Sequence, residues 1–127
     1  MRLTAAFFAN RAEVVDGMLN LNSAFWASTT VPAYATFFRC DVVVLCEVEP
    51  EDVGQQFTMI IDAEGPTARR LPAFTSPFTL ESRSLFMCMR SLALPIEPGG
   101  GFHTYRFRLD GQHERIDVRL AVRPALG

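Results

Sequence analysis

The segment Phe38–Glu49 reads F-R-C-D-V-V-V-L-C-E-V-E and alternates between two kinds of side chain. Every second position, from Phe38 through Val42 to Val48, is apolar or a thiol, whereas the positions between them carry all of the segment's charge. Successive side chains of a β-strand point to opposite faces of the sheet. The pattern therefore predicts one long strand, from near Tyr34 to about Val48, with a core face and a more polar face.

The same two-residue period recurs along the chain, between turn signals rich in glycine, proline and acidic residues. A chain of 127 residues with this pattern and little helix predicts a single domain, residues 1–127, that forms an antiparallel two-sheet β-sandwich of about seven or eight strands. Immunoglobulin-like and C2-like arrangements both fit, and the pattern leaves the strand order open. The predicted strands are 3–9, 18–27, 34–48, 55–62, 67–74, 78–94, 102–109 and 114–123.

Prolines and changes of parity add detail to this interpretation. Pro72 lacks a backbone donor, so the strand that contains it is expected at a sheet edge. The apolar residues of Phe78–Leu94 change parity near Ser82–Ser84, which predicts a bulge or bend there. Asn10–Gly17 predicts a short connection with one helical turn, and Ser28–Pro32 predicts a break in the strand pattern.

The register of the last hairpin follows from which side chains it stacks together. Asp110-Gly111 favours a two-residue turn, but that turn would place Phe107 opposite Glu114. A four-residue loop that ends at His113 instead stacks apolar side chains on one face, and register follows the buried face. The pairs that the longer loop predicts are Tyr105–Val118, Arg106–Asp117 and Phe107–Ile116.

The charged residues exclude several classes of function. All 12 basic residues are arginines, the formal net charge is −2 and the isoelectric point is about 5.6, so the overall field does not attract nucleic acid. Without lysine, the chain has no phosphate-binding lysine of the P-loop kind, no Schiff-base lysine and no lysine general base.

The cysteines and the hydropathy profile predict a cytoplasmic protein. Cys40 and Cys46 lie six residues apart on one strand, about 20 Å at the usual rise, which is too far for a disulfide. Cys88 is able to meet one of them across a sheet, but three free thiols in a reducing compartment is the favoured interpretation. No apolar run approaches the ~18 residues of a membrane span, and the apolar run in residues 1–9 is too short for a signal peptide.

No motif in the sequence predicts a catalytic residue, a metal site or a cofactor. His103 has the parity of Tyr105 and Phe107, so it is expected to face inward, and His113 lies in the hairpin loop. Neither has the neighbouring Cys or His spacing of a zinc site, and the chain lacks the G-x-S-x-G motif. A hydrolase built on His103 is kept as a third hypothesis, after the two described next.

The acidic residues at the strand ends offer a ligand-binding alternative. They border two turns, one before and one after the strand 55–62. C2-like sandwiches bind calcium through loop carboxylates, because this hard cation prefers several oxygen ligands. Solvated turn charges are the simpler interpretation, since the pattern lacks a D-x-D. The residues of this alternative, for calcium or an anionic head group, are Glu49, Glu51, Asp52, Asp62 and Glu64.

The excess of apolar residues predicts an interface. Val43 and Leu45 lie on the more polar side of the long strand. Phe25 and Trp26 are one of several pairs of adjacent aromatic residues; because neighbours on a strand face opposite ways, one ring of each pair must leave the core. Exposed apolar side chains of this kind usually mark an interface. A covering helix or loop is the alternative. We therefore predict a non-enzymatic interaction or structural module that self-associates, or binds a protein partner, through an apolar sheet face. The candidate interface residues are Trp26, Val43 and Leu45.

The chain also resembles, over nearly its full length, a family of small bacterial β-sandwich proteins of uncharacterised function. Ala9–Ala12 (A-N-R-A) is similar to the family pattern A-D-x-A, and Gly17–Phe25 (G-M-L-N-L-N-S-A-F) to G-K-L-N-I-L-G-x-F. Gly101–Gly111 (G-F-H-T-Y-R-F-R-L-D-G) is similar to G-x-Y-x-F-x-L-x-x-D-G. Ser23 stands where the family has glycine. The resemblance implies a β-sandwich and no catalytic residues.

Overall fold

Nine strands and one 3-10 turn make up residues 1–125, the part of the chain that the computed structural model describes. The two-sheet β-sandwich predicted from the periodicity is confirmed. The elements are β1 (Arg2–Val15), β2 (Met18–Ala24), β3 (Ser28–Val31), β4 (Phe37–Glu47), a 3-10 turn (Pro50–Asp52), β5 (Gln56–Glu64), β6 (Arg70–Thr79), β7 (Phe86–Pro95), β8 (Gly101–Leu109) and β9 (Arg115–Pro124).

The strands form a four-stranded sheet in the order β2-β1-β4-β7 and a five-stranded sheet in the order β3-β9-β8-β5-β6. Within residues 1–125 every pairing is antiparallel except that of β3 with β9. The order of β1, β4 and β7 corresponds to that of strands A, B and E in an immunoglobulin sandwich. The order of β9, β8 and β5 corresponds to that of strands G, F and C.

The register predicted for the last hairpin is confirmed. The strands β8 and β9 pair Tyr105 with Val118, Arg106 with Asp117 and Phe107 with Ile116. Apolar side chains thus meet on the inner face, where Tyr105 and Phe107 are fully buried. The edge position predicted from Pro72 is also confirmed, because β6 is the last strand of the five-stranded sheet.

Three sequence expectations were wrong at strand boundaries. β1 continues to Val15, so most of the predicted Asn10–Gly17 connection is strand. Asp16 and Gly17, with φ of 52° and 74°, form a tight turn into β2 in place of the expected helical turn. The short strand β3 lies in the predicted break, where the run is only four residues long.

The segment Phe78–Leu94 is not one bulged strand. β6 ends at Thr79 and β7 begins at Phe86, and the residues between them cross from the five-stranded to the four-stranded sheet. The change of parity near Ser82–Ser84 arises from this crossing. The register irregularity of β7 instead lies opposite Asp41 of β4.

The core lies between the two sheets and is centred on aromatic rings. Phe8 packs edge-on against Tyr105, with ring centroids 5.5 Å apart, and against Phe38 at 6.2 Å. The Tyr105 hydroxyl donates a hydrogen bond to the carbonyl oxygen of Pro95, 2.9 Å away. This bond ties β8 to the end of β7, a few residues upstream, as the tyrosine corner does in immunoglobulin sandwiches.

Candidate functional site

The outer faces of the two sheets have opposite chemistry. The outer face of the five-stranded sheet carries arginines and carboxylates that neutralise one another. Glu64 lies 2.6 Å from Arg106, and Arg108 contacts a further carboxylate at 3.6 Å. At the other side of this face, the Arg119 guanidinium lies over the Phe102 ring, 4.3 Å from its centroid. This face is typical of a solvated protein surface.

The outer face of the four-stranded sheet is apolar. Phe8 and Val42 point into the core, so Phe7 and Val43, which pair across β1 and β4, point outward. Their neighbours on both sides are also apolar, and together they form a cluster separate from the core. We call this cluster the apolar face; its residues are Phe7, Ala9, Ala12, Leu19, Ala24, Val43, Leu45, Phe86 and Cys88.

One aromatic ring from a connection lies on the apolar face. Phe25 stacks on Phe7, with centroids 3.9 Å apart and the ring planes 17° from parallel. Its backbone has a φ of 63°, in the left-handed region that a bulky residue rarely adopts. Phe25 covers Phe7, which is 5% exposed, and is itself 71% exposed, so its own ring adds apolar surface to this side of the sheet.

Polar groups border the apolar face at both ends of the strands. At one end Arg2 and Glu47 form an exposed ion pair at 2.7 Å. At the other end Asp41 is buried, accepts backbone hydrogen bonds from Ala12 and Ser91 at 2.8 Å each, and has a guanidinium 3.7 Å away. An apolar centre with a polar rim is the usual anatomy of a protein interface.

The three predicted interface residues do not share one surface. Trp26 packs against the core and stacks on Phe8 at 5.3 Å, so its placement on an outward sheet face was wrong. Its indole Nε1 is buried and has no hydrogen-bond partner within the described residues. Val43 and Leu45 do lie together on the apolar face, where Val43 is fully buried by its neighbours and Leu45 is half-buried.

His103 faces inward, as its parity predicted, and has a structural role. It is fully buried, and its Nε2 accepts a hydrogen bond from the backbone N–H of Glu97 at 2.8 Å. Its Nδ1 lies 3.0 Å from the carbonyl oxygen of Gly101, to which it donates. Both ring nitrogens are thus engaged with the backbone of the β7–β8 connection, which leaves neither free for proton transfer to a substrate.

The acidic residues of the calcium alternative do not come together. Asp52, in the turn before β5, accepts hydrogen bonds from the amino group of Met1 at 2.5 Å and from the backbone of Glu49. Both hydrogen bonds lower the pKa of Asp52, and the one from the Met1 amino group has the larger effect. Asp62 and Glu64 lie at the far end of β5, about 25 Å away at the usual strand rise. Among residues 1–125, no three His, Cys, Asp or Glu side chains are grouped to hold a metal ion.

The thiols differ in position and acidity. Cys40 and Cys46 are buried in the core, whereas Cys88 lies on the apolar face, so it does not meet them across the sheet. No cysteine of the described chain forms a disulfide. Burial raises the pKa of all three thiols, and that of Cys40 reaches about 12.

An apolar-lined groove lies beside the β3–β4 connection. This open groove has a volume of about 560 Å³ and is lined in part by Thr30, Tyr34 and Phe37. Tyr34 is 88% exposed, and no buried charged side chain lies among the lining residues.

Within residues 1–125, no helix has the length and apolar character needed to span a membrane.

The chain was compared with protein-family models and with curated proteins. A scan against the family models finds no matching family, and a search of the curated proteins finds no match.

Sequence reasoning missed several members of the apolar face. Phe7 carried a signal, because it adjoins Phe8 and the two must face opposite ways. Leu19 lay in a predicted strand whose buried side was not assigned. Phe86 and Cys88 also carried a signal, because they alternate with Met87 and Met89, which pack against the core.

Proposed function

We propose that the protein is a non-enzymatic interaction module that self-associates through the apolar face of its four-stranded sheet. The observation that carries the proposal is the contrast between the two outer faces. Both faces belong to one sandwich and meet the same solvent. Arginine–carboxylate pairs occupy the outer face of the five-stranded sheet, whereas on the outer face of the four-stranded sheet those of the described chain lie only at the border of an apolar centre. An apolar sheet face with a polar rim is typical of an association surface.

The interior of the protein supports a non-catalytic role. Two of the buried titratable groups, Asp41 and His103, are held by hydrogen bonds to the backbone. These bonds fix bulges and connections of the sandwich, which is a structural task. The free thiols are consistent with a reducing cytoplasm, which we propose as the location of the module. Membership in the small bacterial β-sandwich family belongs to the same proposal.

A single charge on each sheet tests the proposal. Leu45→Glu places a carboxylate within the apolar face at a half-buried position that tolerates a polar side chain better than fully buried Val43. Thr75→Glu places the same charge on the outer face of the five-stranded sheet, at an exposed position of β6. The control therefore matches the charge and the β-structure but leaves the apolar face unchanged.

We expect sedimentation equilibrium to give a self-associated wild type and Thr75→Glu variant, and a monomeric Leu45→Glu variant. Far-ultraviolet circular dichroism should show the same β-sheet spectrum for all three. A folded Leu45→Glu variant that associates as strongly as the wild type would mean that the apolar face is not the interface.

A further inference from the structure

The β1–β2 hairpin extends beyond the body of the four-stranded sheet. The first part of β1, Arg2–Ala9, pairs with β4, whereas the pairs with β2 run from Ala9 to Val15. Within residues 1–125, β2 pairs with no strand other than β1. Residues 10–24 therefore form a two-stranded ribbon, which we call the arm.

The arm has almost no support from the rest of the described chain. No residue of β2 is buried, and in the whole arm only Ala12 is buried. Four of its apolar side chains are largely in solvent. A two-stranded ribbon without further packing is only marginally stable in water, so the arm needs a surface to dock on. The exposed fractions are 52% for Val14, 46% for Val15, 66% for Met18 and 41% for Leu21.

One side of the arm continues the apolar face. Ala12 belongs to that face and pairs with Leu21, while Val14 pairs with Leu19. Residues directly opposite in an antiparallel pair project to the same side of the sheet. Val14, Leu19 and Leu21 therefore project to the same side as the apolar face, and this side of the arm carries no charge. The reverse side carries the pairs Arg11–Asn22 and Glu13–Asn20, with the apolar pair Val15–Met18 at the tip.

The area of the apolar face indicates that the arm is part of the interface. Four of the nine side chains of the apolar face are closed off within the chain, with Phe7 5% exposed and Ala9, Ala12 and Val43 0% exposed, so the body of the sheet offers little accessible apolar area. A stable interface buries about 800 Å² on each partner. On this side of the sandwich the accessible apolar surface lies mainly on the arm, where Val14 is 52% and Leu21 41% exposed, and on Phe25 at 71%.

We propose that the arm of one copy lies across the apolar face of a second copy, and that the exchange is reciprocal. This inference rests on the self-association proposed above and specifies the element that covers the face. Each copy supplies both halves of such an interface, as a two-fold dimer requires. A membrane is the less suitable partner, because the tip carries Asp16, the arm's one basic residue is Arg11, and the net charge of the chain is −2.

A cysteine placed on the arm tests the exchange against native Cys88 of the apolar face. In Leu21→Cys the new thiol projects to the side of the arm proposed to meet the second copy. Within one chain, the strand spacings place position 21 about 20 Å from Cys88, beyond the ~7 Å Cα separation that a disulfide spans. The matched control is Asn20→Cys, exposed on the reverse side of the arm.

We expect mild oxidation to convert Leu21→Cys to a covalent dimer at least tenfold faster than Asn20→Cys or the wild type, and Cys88→Ser to abolish this product. A second measurement does not depend on disulfide geometry. Val14→Lys/Leu21→Lys should weaken dimerisation at least tenfold in sedimentation equilibrium, whereas Asn20→Lys should leave it unchanged.

The outcomes separate the two proposals. A dimeric wild type that neither cross-links through Leu21→Cys nor responds to Val14→Lys/Leu21→Lys would overturn the arm exchange while leaving the apolar face as the interface. A monomeric wild type would overturn both. Binding of that monomer to phosphatidylcholine–phosphatidylserine vesicles, lost in Val14→Lys/Leu21→Lys, would identify a lipid surface as the partner of the arm instead.

Discussion

The Asp41 carboxylate of β4 accepts the backbone N–H of Ala12, on the neighbouring strand β1, at 2.8 Å. Its other oxygen accepts the N–H of Ser91, on the opposite neighbour β7, also at 2.8 Å. The Ser91 backbone has a φ of 53°, and the ladder between β4 and β7 is irregular here. One side chain thus satisfies two backbone donors that the sheet itself leaves unpaired, and it joins three strands.

Asp41→Ala should lower the free energy of unfolding by about 2–4 kcal/mol, because it leaves two backbone donors without a partner where the side chain is 5% exposed. Urea unfolding followed by circular dichroism measures the change. Asp110→Ala, which removes a carboxylate from an exposed loop, is the control. Equal midpoints for the two variants would show that Asp41 does not hold the sheet.

Tyr105→Phe should lower the free energy of unfolding by about 1–2 kcal/mol. The change keeps the ring in the core but removes the hydrogen bond to Pro95 and leaves that carbonyl unpaired. Differential scanning calorimetry should show a lower melting temperature. Tyr34→Phe, at a position that is 88% exposed, should not shift it. A melting temperature unchanged by Tyr105→Phe would contradict this role.

The thiols should react in a fixed order with a thiol reagent at pH 8. Burial raises the pKa of Cys40 to about 12, so only roughly one molecule in ten thousand carries the thiolate at this pH. Cys88 is less buried and should react first, in a phase that Cys88→Ser removes. Because Cys88 lies on the apolar face, this phase should slow as protein concentration rises; a rate independent of concentration would count against association there.

Glu97 should make stability depend on pH in the acid range. Hydrogen bonds from Thr67, first from its hydroxyl and then from its backbone N–H, hold the pKa of Glu97 below its ordinary value of 4.5 although burial opposes this. A carboxyl with a lowered pKa stabilises the folded state above its unfolded pKa, and this contribution is lost as pH falls through the folded pKa.

The stability difference between wild type and Glu97→Gln should therefore be largest near neutrality and shrink as pH falls below 4.5, because a protonated glutamic acid resembles glutamine. Chemical unfolding at a series of pH values measures it. The same substitution at exposed Glu81 is the control. If the stability difference between wild type and Glu97→Gln does not change with pH, the Thr67 contact does not favour the charged form of Glu97.

The sequence predicts this fold best where one face of a strand is fully apolar. The inward residues of β8 are buried and those of β9 are buried or half-buried, and only one register stacks them, so the pairing of Phe107 with Ile116 was readable. The arm was readable only in part: the predicted strand 18–27 contains β2, but the extension of β1 to Val15 was missed, because its apolar residues there follow no burial pattern. Ser23 marks the same limit: its φ of 48° is a backbone state that favours glycine, and only the resemblance to a glycine-bearing pattern pointed there.

The candidate site was predicted in part. An apolar residue at a polar position of a strand identifies an outward apolar face, and this argument found Val43 and Leu45. It failed for Trp26, because a residue in a connection has no strand parity and its ring turns back onto Phe8. Which residues come together in the apolar face depends on which strands are neighbours in the sheet. The periodicity within one strand does not reveal its neighbours.

Sedimentation equilibrium of the wild-type chain over a wide concentration range tests the central claim most directly. The account predicts a mass that rises with concentration toward at least twice the 14.2 kDa of one chain. A mass that remains at 14.2 kDa up to high concentration would contradict self-association through the apolar face.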